Sequence, residues 1–151
     1  MKTASFLALL LAGLSGCASR PVPPAHGSFL PSTGTADYDQ RMAKDVVQKL
    51  VALYPPARTR FNLQHAAPDA FGSALVDTLR AKGYALAEFK PGAADTSAPS
   101  SADLSMTYVV DQPLDAGLYR VTVQIDKQSL SRLYQGKDGA LAPAGYWVRK
   151  E

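Results

Sequence analysis

Along the chain the hydrophobic positions change period, and the changes divide it into parts. From Phe6 to Leu14 they run continuously, Phe-Leu-Ala-Leu-Leu-Leu-Ala-Gly-Leu. From Tyr38 to Tyr54 they recur at spacings of three and four, through Tyr38, Met42, Val46, Leu50 and Leu53, which predicts one buried stripe of an amphipathic helix. Asp37 or Asp39 is placed to cap its start, and Pro55-Pro56 ends it. Arg60 to Leu63 reads as a short strand. A second helix is expected from about Pro68 to Lys82, burying Phe71, Leu75 and Leu79. Pro68 suits its first position, Asp69 complements the positive end of its dipole, and Gly83 suits the residue just past its end. Tyr84 to Phe89 then reads as a strand.

Residues 90–102 are rich in Pro, Gly, Ala and Ser and are expected to form a mobile loop. Beyond them the period falls to two. Leu104, Met106, Tyr108 and Val110 alternate with smaller or polar residues. Tyr119, Val121, Val123 and Ile125 alternate strictly with Arg120, Thr122, Gln124 and Asp126, the mark of a strand with one dry and one wet face. Pro113 and Asp115-Ala116-Gly117 supply the turn between these strands. A further strand follows at about Ser129 to Gln135, a turn at Lys137-Asp138-Gly139, and a last strand at Tyr146 to Arg149. The order predicts an α+β domain over residues 37–151, with two helices packed on a small, mostly antiparallel sheet. No internal repeat is visible.

The continuous run at the start is too short for a mature membrane span, which needs about 20 apolar residues. Preceded by Lys2, it fits the hydrophobic region of a signal peptide over residues 1–16. It ends in Leu14-Ser15-Gly16-Cys17, a lipobox: a leucine, two small residues that give a peptidase access, and a cysteine whose thiol accepts diacylglycerol. Cys17 is the one cysteine of the chain, so no intrachain disulfide or multi-cysteine metal site competes for it. Buried acyl chains contribute about 0.8 kcal/mol per CH₂, and two or more anchor stably. Ala18, not Asp, follows Cys17, which by resemblance to bacterial lipoproteins favours the outer membrane, with the domain facing the periplasm. Residues 17–36 then form the lipidated start and an extended tether, because Pro21, Pro23, Pro24 and Pro31 forbid a regular helix. Phe29-Leu30 is its only apolar pair, suited either to the chain's own domain or to a partner.

Composition adds exclusions. The 151 residues are 46% hydrophobic and 19% charged, enough for one modest core. Formal charge is +3. Loss of residues 1–16 leaves 15 basic against 13 acidic side chains, a surplus of +2. The basic residues are scattered, so direct nucleic-acid binding is not expected. No HExxH, CxxC, GxSxG or phosphate loop occurs, and neither enzyme activity, a cofactor nor a metal is expected. His26 falls in the tether and His65 in the loop before the second helix, and both read as surface polarity. Asp37, Asp39, Asp45, Asp69 and Asp77 read as caps or solvated positions. Tyr146 and Trp147, as adjacent strand residues, should face opposite ways, leaving one exposed or covering an edge and available for a partner contact.

These features together resemble the TrbH family of conjugal transfer lipoproteins. The resemblance is carried by the lipobox at Cys17 and by the helix ending Gln48-Lys49-Leu50-Val51-Ala52-Leu53-Tyr54-Pro55-Pro56-Ala57. It is carried further by Phe71-Gly72 through Leu79-Arg80-Ala81-Lys82-Gly83-Tyr84, by Leu130-Ser131-Arg132-Leu133-Tyr134, and by Pro143-Ala144-Gly145-Tyr146-Trp147-Val148-Arg149-Lys150-Glu151. It implies a structural part of a mating-pair-formation apparatus, a type IV secretion system that moves plasmid DNA. The chain would sit in several copies, as a ring, in the outer-membrane core complex beside TrbG-like and TrbI-like subunits. The element order also looks similar to small periplasmic ring-building domains such as those at the N-termini of secretins, an analogy of fold alone. A different class of reading stays open: a ligand-binding or inhibitory envelope lipoprotein, such as a sensor or exclusion factor, which would show a deep apolar pocket. An envelope hydrolase would need a buried acid pair or a His-centred triad.

Overall fold

The computed structural model describes residues 26–30, 36–90, 103–114 and 117–151. The expected signal peptide over 1–16, Cys17, the expected tether apart from residues 26–30 and 36, residues 91–102 and the expected turn residues Asp115 and Ala116 lie outside the described residues. The domain is α+β, with two helices on one face of an eight-stranded, mostly antiparallel sheet.

In chain order the elements are β1 (Gly27–Ser28), α1 (Ala36–Leu53), β2 (Arg60–Leu63), α2 (Ala70–Ala81), β3 (Ala85–Ala87), β4 (Asp103–Asp111), β5 (Leu118–Ile125), β6 (Gln128–Lys137), β7 (Ala140–Pro143) and β8 (Val148–Lys150). The sheet runs β3-β2-β4-β5-β6-β7, with β1 added to β4 and β8 to β6. β2 runs parallel to β3, which follows it through α2, and parallel to β4, and the rest of the main path is a meander of antiparallel neighbours.

The period-two pattern decides which face is dry. Met106, Tyr108 and Val110 of β4 stand opposite Ile125, Val123 and Val121 of β5. Leu130 and Tyr134 of β6 continue the same face, and all of these side chains are buried. Met42, Val46 and Leu50 of α1 and Phe71, Leu75 and Leu79 of α2 close over them, each 0–1% exposed. Complete burial of one such side chain contributes about 1.5–3 kcal/mol, so this two-layer contact is the main stabilising term. The opposite face, with Ser105, Thr107, Thr122, Gln124 and Ser131, has no helix over it and is half-buried.

The helix ends follow local chemistry, with one correction. Pro68 is not the first helical residue of α2. Asp69 is the N-cap, and its Oδ1 accepts from the Gly72 amide at 2.8 Å. A carboxylate that satisfies an orphan amide outcompetes a helix begun two residues earlier. At the other end Gly83 takes φ +84, the Tyr84 amide donates to Leu79 O and the Gly83 amide to Arg80 O, a Schellman closure. Helix α1 begins at Ala36, just before the expected Tyr38, and stops at Leu53 ahead of the proline pair.

The strands differ from expectation at three places. Strand β1 lies inside the segment expected to be a tether, and runs parallel to β4 with Gly27 opposite Val109 and Ser28 opposite Val110. Strand β7, Ala-Leu-Ala-Pro, returns after the expected turn at Lys137-Asp138-Gly139 but lacks the branched residues that mark a strand in sequence. Tyr146 and Trp147 precede the last strand, which starts at Val148 and not at Tyr146. Their opposite exposures therefore come from a bent lead-in and not from strand alternation.

Candidate functional site

Two polar nodes tie the first and last described segments to the rest of the domain. The first is centred on Asp69 at the start of α2. Besides capping the helix, its carboxylate accepts from the Tyr108 hydroxyl at 2.7 Å and from the Ser28 amide at 3.3 Å. One side chain therefore joins α2, β4 and β1. Tyr108 is 1% exposed, and burial first, then its bond to Asp69, raises its pKa far above the usual phenol range. Gly72 makes the approach possible, because a Cβ there would stand 2.0 Å from the Tyr108 hydroxyl and 2.7 Å from Ala67 Cβ.

His65 completes this node. The Tyr108 amide donates to His65 Nε2 at 3.2 Å, and His65 Nδ1 lies 2.9 Å from Ala66 O. Nε2 must therefore be unprotonated, and Nδ1 carries the proton. Burial first, opposed by the Ala66 carbonyl, lowers the His65 pKa; His26 lowers it further and Asp69 raises it. The His26 ring stacks on His65 at 5.1 Å with an 18° interplanar angle. Sequence reasoning placed these two imidazoles in separate surface segments, and the fold brings them together. Of the apolar pair beside them, Leu30 packs against the core, while Phe29 is 55% exposed and donates its amide to Val110 O at 2.8 Å.

The second node holds the C-terminal segment. Arg132 lies on the dry face of β6, opposite Val121, where an apolar residue would be expected. Its guanidinium meets both carboxylate oxygens of Asp45 on α1, at 3.1 and 2.8 Å, and its Nε donates to Gly145 O at 2.9 Å. The Tyr134 hydroxyl donates to Asp45 Oδ2 at 2.6 Å. The Trp147 and Tyr134 rings flank the guanidinium at 5.7 and 5.9 Å. Asp45 is thus a half-buried partner of Arg132 and not a solvated position, and Asp39, within the first turns of α1, is buried. With Trp147 packed inward, Tyr146 is 94% exposed.

An open depression of about 660 Å³ lies at the β5–β6 turn, lined by Tyr54, Leu104, Ser105, Ile125, Asp126, Lys127 and Gln128. Asp126, at φ +48, accepts from the amide and hydroxyl of Ser105 and so pins the turn to β4. Among the described residues no group of three or more His, Cys, Asp or Glu is arranged to hold a metal ion, and no helix is long and apolar enough to cross a membrane.

The fold and its nodes define a class: a small one-sided α+β domain whose helical layer covers one sheet face, leaves the other polar, and ties the first and last described segments to its helices by half-buried carboxylates. The chain belongs to the TrbH family of conjugal transfer proteins; the family model, described as Conjugal transfer protein TrbH, matches residues 24–151. The match begins just before β1 and takes in every described element, so the docked N-terminal strand lies within the matched unit. No curated protein and no solved structure matches the chain.

Proposed function

We propose that this conjugal transfer protein is an outer-membrane lipoprotein, acylated at Cys17, whose domain serves on the periplasmic side as a structural component of the mating-pair-formation core complex. The observation that carries the reading is the lipobox Leu14-Ser15-Gly16-Cys17 standing shortly before a domain matched by the family from residue 24. Acylation supplies the membrane attachment, and the domain supplies contact surface. The half-buried polar sheet face, exposed Phe29 and Tyr146, and the inward-held Trp147 beside it are the surfaces available to TrbG-like and TrbI-like subunits or to further copies in a ring. Anchoring many copies to one surface raises their effective concentration, so individually weak contacts suffice.

The ligand-binding or inhibitory reading draws less support. It calls for a deep apolar pocket with convergent polar groups. The depression at the β5–β6 turn is open, and Asp126 and Lys127 on its rim are exposed.

The test is Cys17→Ser in the full-length gene. Palmitate incorporation, membrane fractionation and plasmid transfer should all be lost, while the unaltered protein should co-purify with core-complex subunits after mild detergent extraction. Undiminished transfer with normal fractionation of the variant would overturn the proposal.

A further inference from the structure

The outer edge of β4 is covered by three separate segments. β2 pairs with residues 103–106, the His65 imidazole accepts the Tyr108 amide, and β1 pairs with residues 109–110. The last of these is slight. It consists of a two-residue parallel strand, the Phe29 amide bond to Val110, the long Ser28 amide bond to Asp69, the His26–His65 stack and the partly buried Leu30 side chain against the core. Segments with so few bonds open locally well before a domain unfolds. One of these contacts, the His26–His65 stack, depends directly on His65 being neutral, and the His65 bond to the Tyr108 amide holds the β4 edge just beside β1.

We propose that residues 26–30 are a proton-sensitive latch. With His65 neutral, β1 stays on β4; with His65 protonated, β1 leaves and the lead between Cys17 and the domain lengthens. The latch stands on the geometry of the domain, and only the change in lead rests on acylation of Cys17.

Protonation at Nε2 sets an N–H against the Tyr108 N–H, and the bond that fills the gap in the β4 edge is lost. It also places a positive charge against the stacked face of the His26 ring, which weakens the stack. The other charged groups facing this node are carboxylates. Asp69 favours protonated His65, but its oxygens are committed to the Gly72 amide, the Tyr108 hydroxyl and the Ser28 amide. Asp39 of α1 acts on the neutral Tyr108 hydroxyl. Burial outweighs the Asp69 attraction and leaves the His65 pKa lowered in the docked state. A lowered pKa for a base means that the undocked state binds the proton more readily. Docking is therefore fully supported above the ordinary His value of about 6.5, and the support is lost as the pH falls from there through the lowered value.

The consequence is a change of reach. Cys17 to His26 spans about 9 residues, a fully stretched length of about 30 Å, whereas Cys17 to Ala36 spans about 19 residues and about 65 Å. Release of β1 would roughly double the distance at which an acylated chain can hold its domain.

The test is hydrogen exchange on the full mature chain in mild detergent, at about pH 7.5 and about pH 5.5, corrected for intrinsic rates. Protection of the residue 27–30 amides should fall by at least about tenfold at the lower pH while α1 and β5 stay protected. The midpoint of that fall should coincide with the His65 imidazole titration followed by NMR. Gly27 takes φ +112, so Gly27→Val should leave these amides unprotected at both pH values. Cys17→Ser should keep the latch intact, which separates a failed latch from failed acylation. Protection that does not change with pH, a midpoint that follows another group, or loss of protection in all elements together would overturn the proposal.

Discussion

Replacing Asp69 with alanine removes three acceptor contacts from one position, and their sum can be worked from the structure. Loss of the N-cap bond to the Gly72 amide costs about 1 kcal/mol. The Tyr108 hydroxyl, 1% exposed, loses its partner and cannot reach bulk water; a buried donor left unsatisfied costs about 1–3 kcal/mol. The Ser28 amide bond is long at 3.3 Å and adds about 0.5 kcal/mol. The total is about 3 kcal/mol, a large share of the 5–15 kcal/mol typical of a domain. In urea, with a slope of about 1.5 kcal/mol/M, the midpoint should drop by about 2 M without a change of slope. Far-ultraviolet circular dichroism measures it. A double-mutant cycle isolates the pair: in a Tyr108→Phe background, Asp69→Ala should cost only the cap and the Ser28 bond, leaving a coupling of about 1–2 kcal/mol. A loss below about 1 kcal/mol, or an equal loss in both backgrounds, would refute the reasoning.

Three other outcomes are expected. Gly72→Ala drives a methyl into the Tyr108 hydroxyl and Ala67, and should lower unfolding stability by about 1–3 kcal/mol, with part of the loss recovered by Tyr108→Phe. Arg132→Ala leaves Asp45 without its cation and frees Trp147, so a loss of about 1–3 kcal/mol and a red-shifted Trp147 emission are expected, with incomplete rescue by Lys because one ammonium cannot match both carboxylate oxygens and Gly145 O. Alkaline titration followed by phenolate absorbance should show Tyr108 and Tyr134 ionising last and together with unfolding, since burial and then a carboxylate bond raise both pKa values; the native state's preference for the neutral phenol is present below the ordinary value of about 10 and is lost as pH rises above it.

Much of the fold was legible because it is written in periods. The stripe Met42, Val46, Leu50 is the buried stripe of α1, and the alternation from Tyr119 to Ile125 divides a dry face from a polar one. These patterns reflect backbone geometry of neighbouring residues, so they can be read without knowing the rest of the chain. Gly83 and the proline pair marked helix ends for the same reason. Asp69 was recognised as favourable at a helix start, but not as the hub that joins three elements. Arg132 drew no separate reading from the sequence, although its place on the dry face of β6, in phase with Leu130 and Tyr134, is a signal of an acidic partner.

What the sequence determined by itself is the two-layer α+β plan and the resemblance that the family match over residues 24–151 bears out. What only the tertiary structure decided is where the polar groups and the ends of the chain go. β1 leaves the expected tether to join β4, His26 stacks on His65, and Asp45 meets Arg132 from the far end of the chain. Each of these pairings depends on loops that close over dozens of residues, and each is worth no more than a few kcal/mol. The apolar stripes must find one another first. Only when that burial has fixed the backbone does a given carboxylate lie within reach of one hydroxyl, amide or guanidinium and not another.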